Sequence, residues 1–235
     1  LGMQVETAPD RIVVQNTIRS IAEGRYELFA QDSGTTARFL LALACIVPGI
    51  KVLRGSKRLQ ERPIEDLVLA LCAMGAEMAY LEEPGRLPVR IFSSNLMAPS
   101  VLLKGDVSSQ FCSALLLIAP TLSQGLAIEL SAPLISKPYV DMTVGCMREW
   151  GIGIREEEGL RYVIPPNQKY RQTTYTIEGD YSSASYFFAI AALTRSDITV
   201  QNLSPTSRQA DRKFLDILKQ MGNRVHYQEQ SIRLE

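Results

Sequence analysis

The sequence is poor in the residues that support several common kinds of site. Its 235 residues include one histidine, one tryptophan and four cysteines. A single histidine excludes a metal site built from several imidazoles. That residue, His226, falls in a terminal predicted strand, which also excludes a Ser-His-Asp triad within this chain.

The four cysteines, Cys45, Cys72, Cys112 and Cys146, all fall inside predicted helices and form no C-x-x-C pair. We therefore predict buried free thiols rather than disulfides or metal ligands. Because disulfides are rare in reducing compartments, we expect a cytoplasmic protein.

Neither sign of charge is in surplus. Lys plus Arg and Asp plus Glu both number 25, so the net charge is zero. A nucleic-acid-binding or membrane-surface protein needs a basic excess, and we expect neither partner. The longest apolar run, Phe39 to Ile50, is too short to span a bilayer.

An internal repeat is present. The segment Asp32-Ser33-Gly34-Thr35-Thr36-Ala37-Arg38 has counterparts 74 positions later, at Gly105-Asp106-Val107-Ser108-Ser109-Gln110-Phe111, and 74 positions later again, at Asp180-Tyr181-Ser182-Ser183. Each copy opens a predicted helix that is apolar on every side and therefore predicted to be buried. The recurring Asp32, Asp106 and Asp180 fit helix N-caps better than catalytic groups.

The same elements surround each copy, and they predict a unit of the form β-α-β-α-β-β. The lead-in strands are predicted at Tyr26 to Ala30, Val101 to Lys104 and Tyr175 to Glu178. The strands after the apolar helix are predicted at Ile50 to Leu53, Leu126 to Leu130 and Ile198 to Val200. The amphipathic helices are predicted at Ile64 to Met74, Tyr139 to Trp150 and Ala210 to Met221, ending at Gly75, Gly151 and Gly222 in left-handed caps.

A strand pair closes each unit, at Glu77 to Leu81 with Val89 to Phe92 and at Val225 to Tyr227 with Ile232 to Leu234. Leu1 to Val5 matches a helix tail, its glycine and the start of such a pair, so we predict a leftover strand pair in residues 1 to 20. These boundaries indicate a piece of a longer protein. The polar segment from Pro165 to Gln172 is the predicted linker between a domain at 1–173 and one repeat unit of a second domain at 174–235.

Candidate binding residues lie at the helix starts. Free N–H groups and the helix dipole make such a start an anion site. Cations also precede the amphipathic helices, at Arg62-Pro63, Lys137-Pro138 and Arg208, where the dipole disfavours them unless an anion binds. For Arg62 the alternative is pairing with Glu65 or Asp66. Ser108 and Ser109 could equally serve as caps, Gly34 and Thr35 as a turn and a cap, and Tyr139 as a packing residue.

The chain resembles the enolpyruvyl transferase family, and within it the branch that acts on shikimate 3-phosphate. The segments that carry the resemblance, in family order and spacing, are Asp32 to Arg38, Arg62-Pro63-Ile64-Glu65-Asp66-Leu67, Gly105 to Phe111, Ser136-Lys137-Pro138-Tyr139-Val140-Asp141 and Glu178 to Tyr186. The resemblance implies an α/β fold of repeated β-α-β-α-β-β units with helices buried and sheets outside. It also implies a domain at 1–173, lacking its N-terminal part, that binds shikimate 3-phosphate.

The reaction that the resemblance implies moves the enolpyruvyl group of phosphoenolpyruvate to the 5-hydroxyl of shikimate 3-phosphate, with no metal or organic cofactor. Family likeness assigns Ser108, Ser109, Gln110, Ser136 and Tyr139 to shikimate 3-phosphate, and Gly34, Thr35, Arg62 and Gln110 to phosphoenolpyruvate. It assigns no catalytic acid or base to this chain, and it implies a monomeric parent protein.

Two departures from the family pattern determine what activity we expect of this chain. Asp32 stands where the family often has asparagine, and an early Lys-Ser-x-Ser-x-Arg segment is absent, as are the basic and acidic residues of the other domain. We therefore expect a chain that binds substrate but is inactive alone. The rival readings are the branch that enolpyruvylates UDP-N-acetylglucosamine, whose reactive cysteine position is here Lys57, and a non-catalytic anion-binding repeat module.

Overall fold

A computed structural model describes residues 1–106, 108–171 and 173–235 and divides them into two compact units, Leu1–Tyr170 and Arg171–Glu235. Val107, in the motif that opens the second apolar helix, and Gln172, in the predicted linker, lie outside the described residues. The division falls three residues before the domain boundary expected from the sequence. The assignment of a ligand to the first domain stays a prediction.

The strands alternate with the helices along the chain, with bounds close to those predicted. They are β1 (Val5–Ala8), β2 (Arg11–Val14), β3 (Arg25–Phe29), β4 (Ile50–Arg54), β5 (Met78–Tyr80), β6 (Val89–Phe92), β7 (Ser100–Leu103), β8 (Leu126–Leu130), β9 (Arg155–Glu157), β10 (Arg161–Ile164), β11 (Ile198–Gln201), β12 (Val225–Tyr227) and β13 (Ser231–Leu234).

The helices are α1 (Gly34–Ile46), α2 (Lys57–Gln60), α3 (Glu65–Ala73), α4 (Ser109–Ile118), α5 (Lys137–Glu149), α6 (Tyr181–Thr194) and α7 (Phe214–Gln220). Short 3₁₀ segments lie at Ile18–Ser20, Ala119–Thr121 and Ala210–Lys213. The last of these replaces the first turn of the helix predicted from Ala210. Among the described residues, no helix has both the length and the apolar character needed to cross a bilayer.

The repeat is visible in the sheets. The first sheet has the order β3-β4-β6-β5 and the second β7-β8-β10-β9; in each, the first two strands are parallel and the other pairs antiparallel. The third sheet keeps the order β11-β13-β12. The predicted strand pair near the start is confirmed as β1 with β2, although Leu1 forms no helix tail.

The predicted strand at Tyr175 to Glu178 is wrong. Gly179 N donates to Asn202 O at 2.6 Å, so the segment approaches the end of β11 without forming a strand. Tyr175 and Ile177 are both exposed. A strand at this edge would bury neither of its faces, and it would gain little from pairing.

The core of the first unit lies between the two four-stranded sheets and around α1 and α4. Leu41 and Cys45 of α1 and Leu115 and Leu116 of α4 are inaccessible to solvent, and Leu53 and Ile128 face them from the two sheets. The apolar character of α1 and α4 on every side is thereby explained, because each has sheet residues and another helix around it.

The second unit has its own small core of α6, α7 and the third sheet. Tyr181, Ala184, Phe188 and Ala191 form the buried face of α6. The prediction that each apolar helix is buried on every side is wrong for α6, because its other face carries large apolar side chains that are exposed, with Leu193 at 83%.

Serine caps the amino end of two of the three apolar helices, and aspartate caps the third. Ser33 Oγ accepts from Thr36 N at 3.1 Å, and Ser108 Oγ accepts from Gln110 N at 3.3 Å. The prediction of an aspartate cap is confirmed at Asp180, whose carboxylate accepts from two N–H groups. It is wrong at Asp32 and Asp106, because a serine one or two residues later occupies the capping position. The left-handed glycines predicted after the amphipathic helices are confirmed, with φ of 107°, 83° and 99° at Gly75, Gly151 and Gly222.

The cysteines are free thiols, as predicted. Cys45 and Cys112 are buried and Cys146 is half-buried, but the prediction of burial is wrong for Cys72. Cys72 lies three residues after the exposed Leu69 on α3, and positions three apart share a helix face.

Lys51 in β4 is buried at 0% exposure and donates from Nζ to the carbonyl oxygens of Val47 and Gly49. Burial lowers the pKa of its ammonium from the ordinary 10.5 to about 8. The folded state therefore releases this proton at a lower pH than the unfolded state does.

We expect Lys51 to make stability rise with pH in this range. Between about pH 8 and 10.5 the unfolded chain holds a proton on Lys51 that the folded chain has lost, so wild type should gain on the order of 2 kcal/mol relative to Lys51→Met. Urea unfolding of both proteins across this range measures the difference. Lys169→Met, which removes an exposed lysine, is the matched control. A difference between wild type and Lys51→Met that stays constant from pH 7.5 to 10.5 would contradict the expectation.

Candidate functional site

The amino ends of α1 and α4 are joined directly. Gln110, in the first turn of α4, donates from Nε2 to Thr35 Oγ1, in the first turn of α1, at 3.0 Å. The two helices also pack along their length. Two sets of free N–H groups and two positive dipole ends therefore lie side by side, which favours negative charge near them.

The side-chain oxygen of Gln110 can still accept a hydrogen bond at this junction. Its Oε1 is buried and accepts no hydrogen bond from the part of the chain that the structure describes. A buried amide oxygen without a donor is costly, so the position suits a bound hydroxyl or other donor.

The loop before α3 brings Arg62 to the same place. A Cβ built on Gly34 would lie 2.5 Å from Nη1 of Arg62 and 2.5 Å from Nη1 of Arg38. Gly34 is the first residue of α1 and is buried. The absence of a side chain there lets two guanidinium groups reach the mouth of the helix.

Hydrogen bonds fix this loop relative to α1. Ser56 N donates to Gln31 O at 2.8 Å, and the Ser56 hydroxyl donates to the Asp32 carboxylate. Ser56 Oγ also caps the short helix α2 by accepting from Leu59 N at 3.3 Å. Helix α2, which the sequence analysis did not predict, thus fixes the turn from which Arg62 extends.

The alternative that Arg62 pairs with Glu65 or Asp66 is not what the structure contains. Asp66 pairs with Lys104 at 2.9 Å, and among the described residues Arg62 forms no ion pair. Arg62 is exposed at a helix entry with its charge uncompensated. That arrangement favours a bound anion.

Arg38 lies in the first repeat motif and reaches the same helix mouth, although the sequence pattern did not mark it as a candidate site residue. It is 3% exposed, and burial followed by the nearby charge of Arg62 lowers its pKa to about 10. The signal that could have identified it is a lone cation inside an otherwise apolar helix. Two guanidinium groups at one helix mouth create a positive potential suited to a carboxylate or phosphate.

The predicted residues of α4 and its lead-in lie at one end of the helix. Ser108 is half-buried, and Ser109, the first helical residue, is buried. Gly105 contacts the loop before α5 so closely that a Cβ there would lie 1.8 Å from Ala132 O. The lead-ins to α4 and α5 are therefore neighbours.

Ser136 and Tyr139 belong to the start of α5, which packs against α4. Ser113 of α4 and Thr143 of α5 share a hydrogen bond at 2.8 Å. Ser136 occupies the N-cap position, but its side chain does not cap the helix, and Tyr139 is 46% exposed. The structure thus links Gly34, Thr35, Arg62 and Gln110 through short contacts. Ser136 lies in the lead-in to α5, whose residue Ala132 contacts the lead-in to α4.

Comparisons with known proteins identify the family of this chain. A protein-family model, EPSP synthase (3-phosphoshikimate 1-carboxyvinyltransferase), matches residues 1–235. A 3-phosphoshikimate 1-carboxyvinyltransferase of Syntrophobacter fumaroxidans is 38% identical over 234 residues, covering 100% of this chain and 55% of the relative. One of Methanosphaera stadtmanae is 36% identical over 242 residues, with 100% and 56% covered.

The structure is also similar to a solved EPSP synthase from Acinetobacter baumannii, with a TM-score of 0.79 and 23% identity, over 100% of this chain and 54% of that one. This likeness confirms the fold class, an α/β fold of repeated units with helices buried and sheets outside. The chain spans about half the length of the relatives it matches.

We expect Gly34→Ala to weaken anion binding and to lower stability. The new methyl group would displace the exposed end of Arg62 and the buried, hydrogen-bonded end of Arg38, and a changed guanidinium position should lower the affinity for inorganic phosphate by roughly tenfold. Phosphate titrations followed by NMR, together with thermal unfolding, measure both quantities.

Gly153→Ala is the matched control for this substitution. A Cβ at Gly153 would also meet the end of a flexible polar side chain, Gln168 Oε1 at 3.3 Å, but beyond the carboxyl end of α5. Equal phosphate affinity in wild type and Gly34→Ala would contradict the role given to the two arginines.

Proposed function

Because this chain belongs to the EPSP synthase (3-phosphoshikimate 1-carboxyvinyltransferase) family, we propose that it is part of an enzyme transferring an enolpyruvyl group. Phosphoenolpyruvate supplies the group and the 5-hydroxyl of shikimate 3-phosphate receives it, with release of phosphate. The observation that carries the proposal is the pair of arginines converging on Gly34 at two linked helix starts. Both substrates are anions of the kind that such a site attracts.

Shikimate 3-phosphate is proposed to bind Ser108, Ser109, Gln110, Ser136 and Tyr139. Hydroxyl groups and first-turn N–H groups at the starts of α4 and α5 suit a phosphate ester. The unused acceptor of Gln110 suits a hydroxyl of the ring. Ser136 supports the assignment because its hydroxyl is not used to cap its own helix.

Phosphoenolpyruvate is proposed to bind Gly34, Thr35, Arg62 and Gln110. The free guanidinium fork of Arg62 can hold a carboxylate or a phosphate with two parallel hydrogen bonds. Gln110 lies in the first turn of α4 and contacts Thr35 in the first turn of α1, so we place it between the two substrates. In the addition, the hydroxyl oxygen bonds to the enol carbon and gives up its proton while the methylene carbon gains one. In the elimination, the resulting methyl group loses a proton and the bond from carbon to the phosphate oxygen breaks, which restores the double bond and releases phosphate.

The residues of this chain hold and orient the substrates and stabilise shifting negative charge. We assign no acid or base for the two proton transfers to this chain, and we propose that the rest of the parent protein supplies them. The reaction is proposed to need no metal or organic cofactor. A cytoplasmic location is likewise proposed, supported by the free cysteines.

The alternative branch, which acts on UDP-N-acetylglucosamine, is not favoured. Lys57 occupies the position where that branch has its reactive cysteine. The similar curated proteins named above carry the name of the shikimate branch instead.

We expect the 235-residue chain to bind shikimate 3-phosphate in calorimetry and Ser136→Ala to weaken that binding. A hydrogen bond to a charged group is worth about 1.5–3 kcal/mol, so the dissociation constant should rise roughly tenfold or more. Stability should not fall, because Ser136 does not cap α5. Ser123→Ala, an exposed serine beyond the carboxyl end of α4, is the control. A wild-type chain that takes up no shikimate 3-phosphate at millimolar concentration would refute the proposal.

We also expect this chain alone to release no phosphate from a mixture of phosphoenolpyruvate and shikimate 3-phosphate. The chain spans about 55% of its relatives and carries no assigned acid or base. A phosphate-release assay measures this directly. Turnover above the level of a protein-free blank would show that the catalytic groups are present after all.

A further inference from the structure

Arg38 is a charged residue in a place where charge is expensive. It lies in α1 with 3% exposure, and the helix around it is apolar. Buried cations in proteins are normally compensated by a carboxylate. Among the described residues Arg38 forms no ion pair, and its Nε, which is buried, has no hydrogen-bond partner. Packing alone does not account for an arginine here.

The hydrogen bonds of Arg38 join two of the segments that form the candidate site. Nη1 donates to Gly34 O at 3.0 Å, at the start of α1, and Nη2 donates to Pro63 O at 3.1 Å, in the turn that carries Arg62. Its guanidinium carbon lies 5.7 Å from the centre of the Phe111 ring, in the first turn of α4. One side chain thus fixes three segments relative to one another.

The charge of Arg38 is also directed towards the same point as that of Arg62. The Nη1 atoms of both residues lie 2.5 Å from the place where a Cβ of Gly34 would be. Two like charges this close repel each other, and the charge of Arg62 adds to burial in lowering the pKa of Arg38. An anion at the helix mouth would relieve this repulsion.

We propose that Arg38 is a positioning residue for the anionic group of the enolpyruvyl donor, an inference that rests on the proposed function. Arg38 holds the Pro63 carbonyl and thereby fixes Arg62 beside Gly34, where Arg62 grips a carboxylate or phosphate. Its own hydrogen bonds go to backbone carbonyls, so it acts through Arg62 and through its charge. Shikimate 3-phosphate is assigned to the starts of α4 and α5, which Arg38 meets only through the ring of Phe111, so its binding should depend on Arg38 much less.

Two variants separate this role from a merely structural one. Arg38→Met removes the charge and both hydrogen bonds but keeps an unbranched apolar side chain of similar length. Arg38→Lys keeps the charge but lacks the planar fork that reaches two carbonyls in fixed geometry. Arg58→Met removes an exposed cation of α2 and is the control for a general loss of positive charge.

Calorimetry on the 235-residue chain measures shikimate 3-phosphate first and phosphoenolpyruvate second, in saturating shikimate 3-phosphate. We expect Arg38→Met to leave the affinity for shikimate 3-phosphate within about twofold of wild type. The same variant should lower the affinity for phosphoenolpyruvate by roughly tenfold or more, and Arg38→Lys should lie between it and wild type. A merely structural role would lower both affinities together. Equal losses for both ligands, or an unchanged affinity for phosphoenolpyruvate, would overturn the inference.

A second measurement does not depend on the organic substrates. The side-chain Nε–H signal of Arg62 in ¹⁵N NMR should respond to inorganic phosphate in wild type, and in Arg38→Met only at roughly tenfold higher concentration. The same response in both proteins would overturn the inference while leaving the proposed function intact. A wild-type chain that binds shikimate 3-phosphate but not phosphoenolpyruvate would also overturn it. Failure of wild type to bind shikimate 3-phosphate would instead refute the proposed function, and the inference with it.

Discussion

The packing of α1 against α4 is the contact on which the rest of the first unit depends. Both helices are surrounded by apolar side chains from two sheets, so their flanks offer nothing to a polar ligand. Apart from Ser113, which bonds to Thr143 of α5, the hydroxyl, amide and guanidinium groups of the two helices lie near their amino ends, which Gln110 and Thr35 join. The burial that stabilises the domain thus confines most of the polar side chains of these two packed helices to their amino ends.

Two arginines place positive charge at these amino ends. Arg62 reaches the helix ends from a turn that Ser56 ties to Asp32, while Arg38 reaches them from inside α1. The first is exposed and adaptable, and the second is buried and fixed by backbone carbonyls. A buried, hydrogen-bonded cation beside an exposed one keeps positive charge at the helix ends and leaves one guanidinium group open to solvent.

Much of the fold could be predicted because the sequence repeats itself. Apolar helices without a polar face, glycines after amphipathic helices and paired strands recur at a constant spacing, and the structure contains them. The failures have local causes. Helix α2 is a single turn with three polar residues, too short to show a period, and the segment from Tyr175 to Glu178 has strand-forming residues but nothing to bury them against.

The site was less predictable than the fold. Residues at helix starts could be singled out because capping and anion binding require the same residue types, which is also why the sequence could not separate the two roles. Serine rather than aspartate caps α1 and α4. Which of the two residues occupies the N-cap position depends on the geometry of the preceding loop, which the residue pattern does not specify. Arg38 belongs to the first repeat motif, but its hydrogen-bond partners, Gly34 O and Pro63 O, are backbone atoms. Contacts with backbone atoms leave no signal in the residue types of a sequence.

The tight approach of Gly105 to Ala132 has a consequence for how variation in this protein should be interpreted. The backbone there leaves no room for a side chain, because an added carbon atom would lie 1.8 Å from a carbonyl oxygen. Any replacement would push the lead-ins of α4 and α5 apart and shift the residues at both helix starts. A substitution at Gly105 would therefore move Ser108, Ser109 and Ser136 without altering any of them.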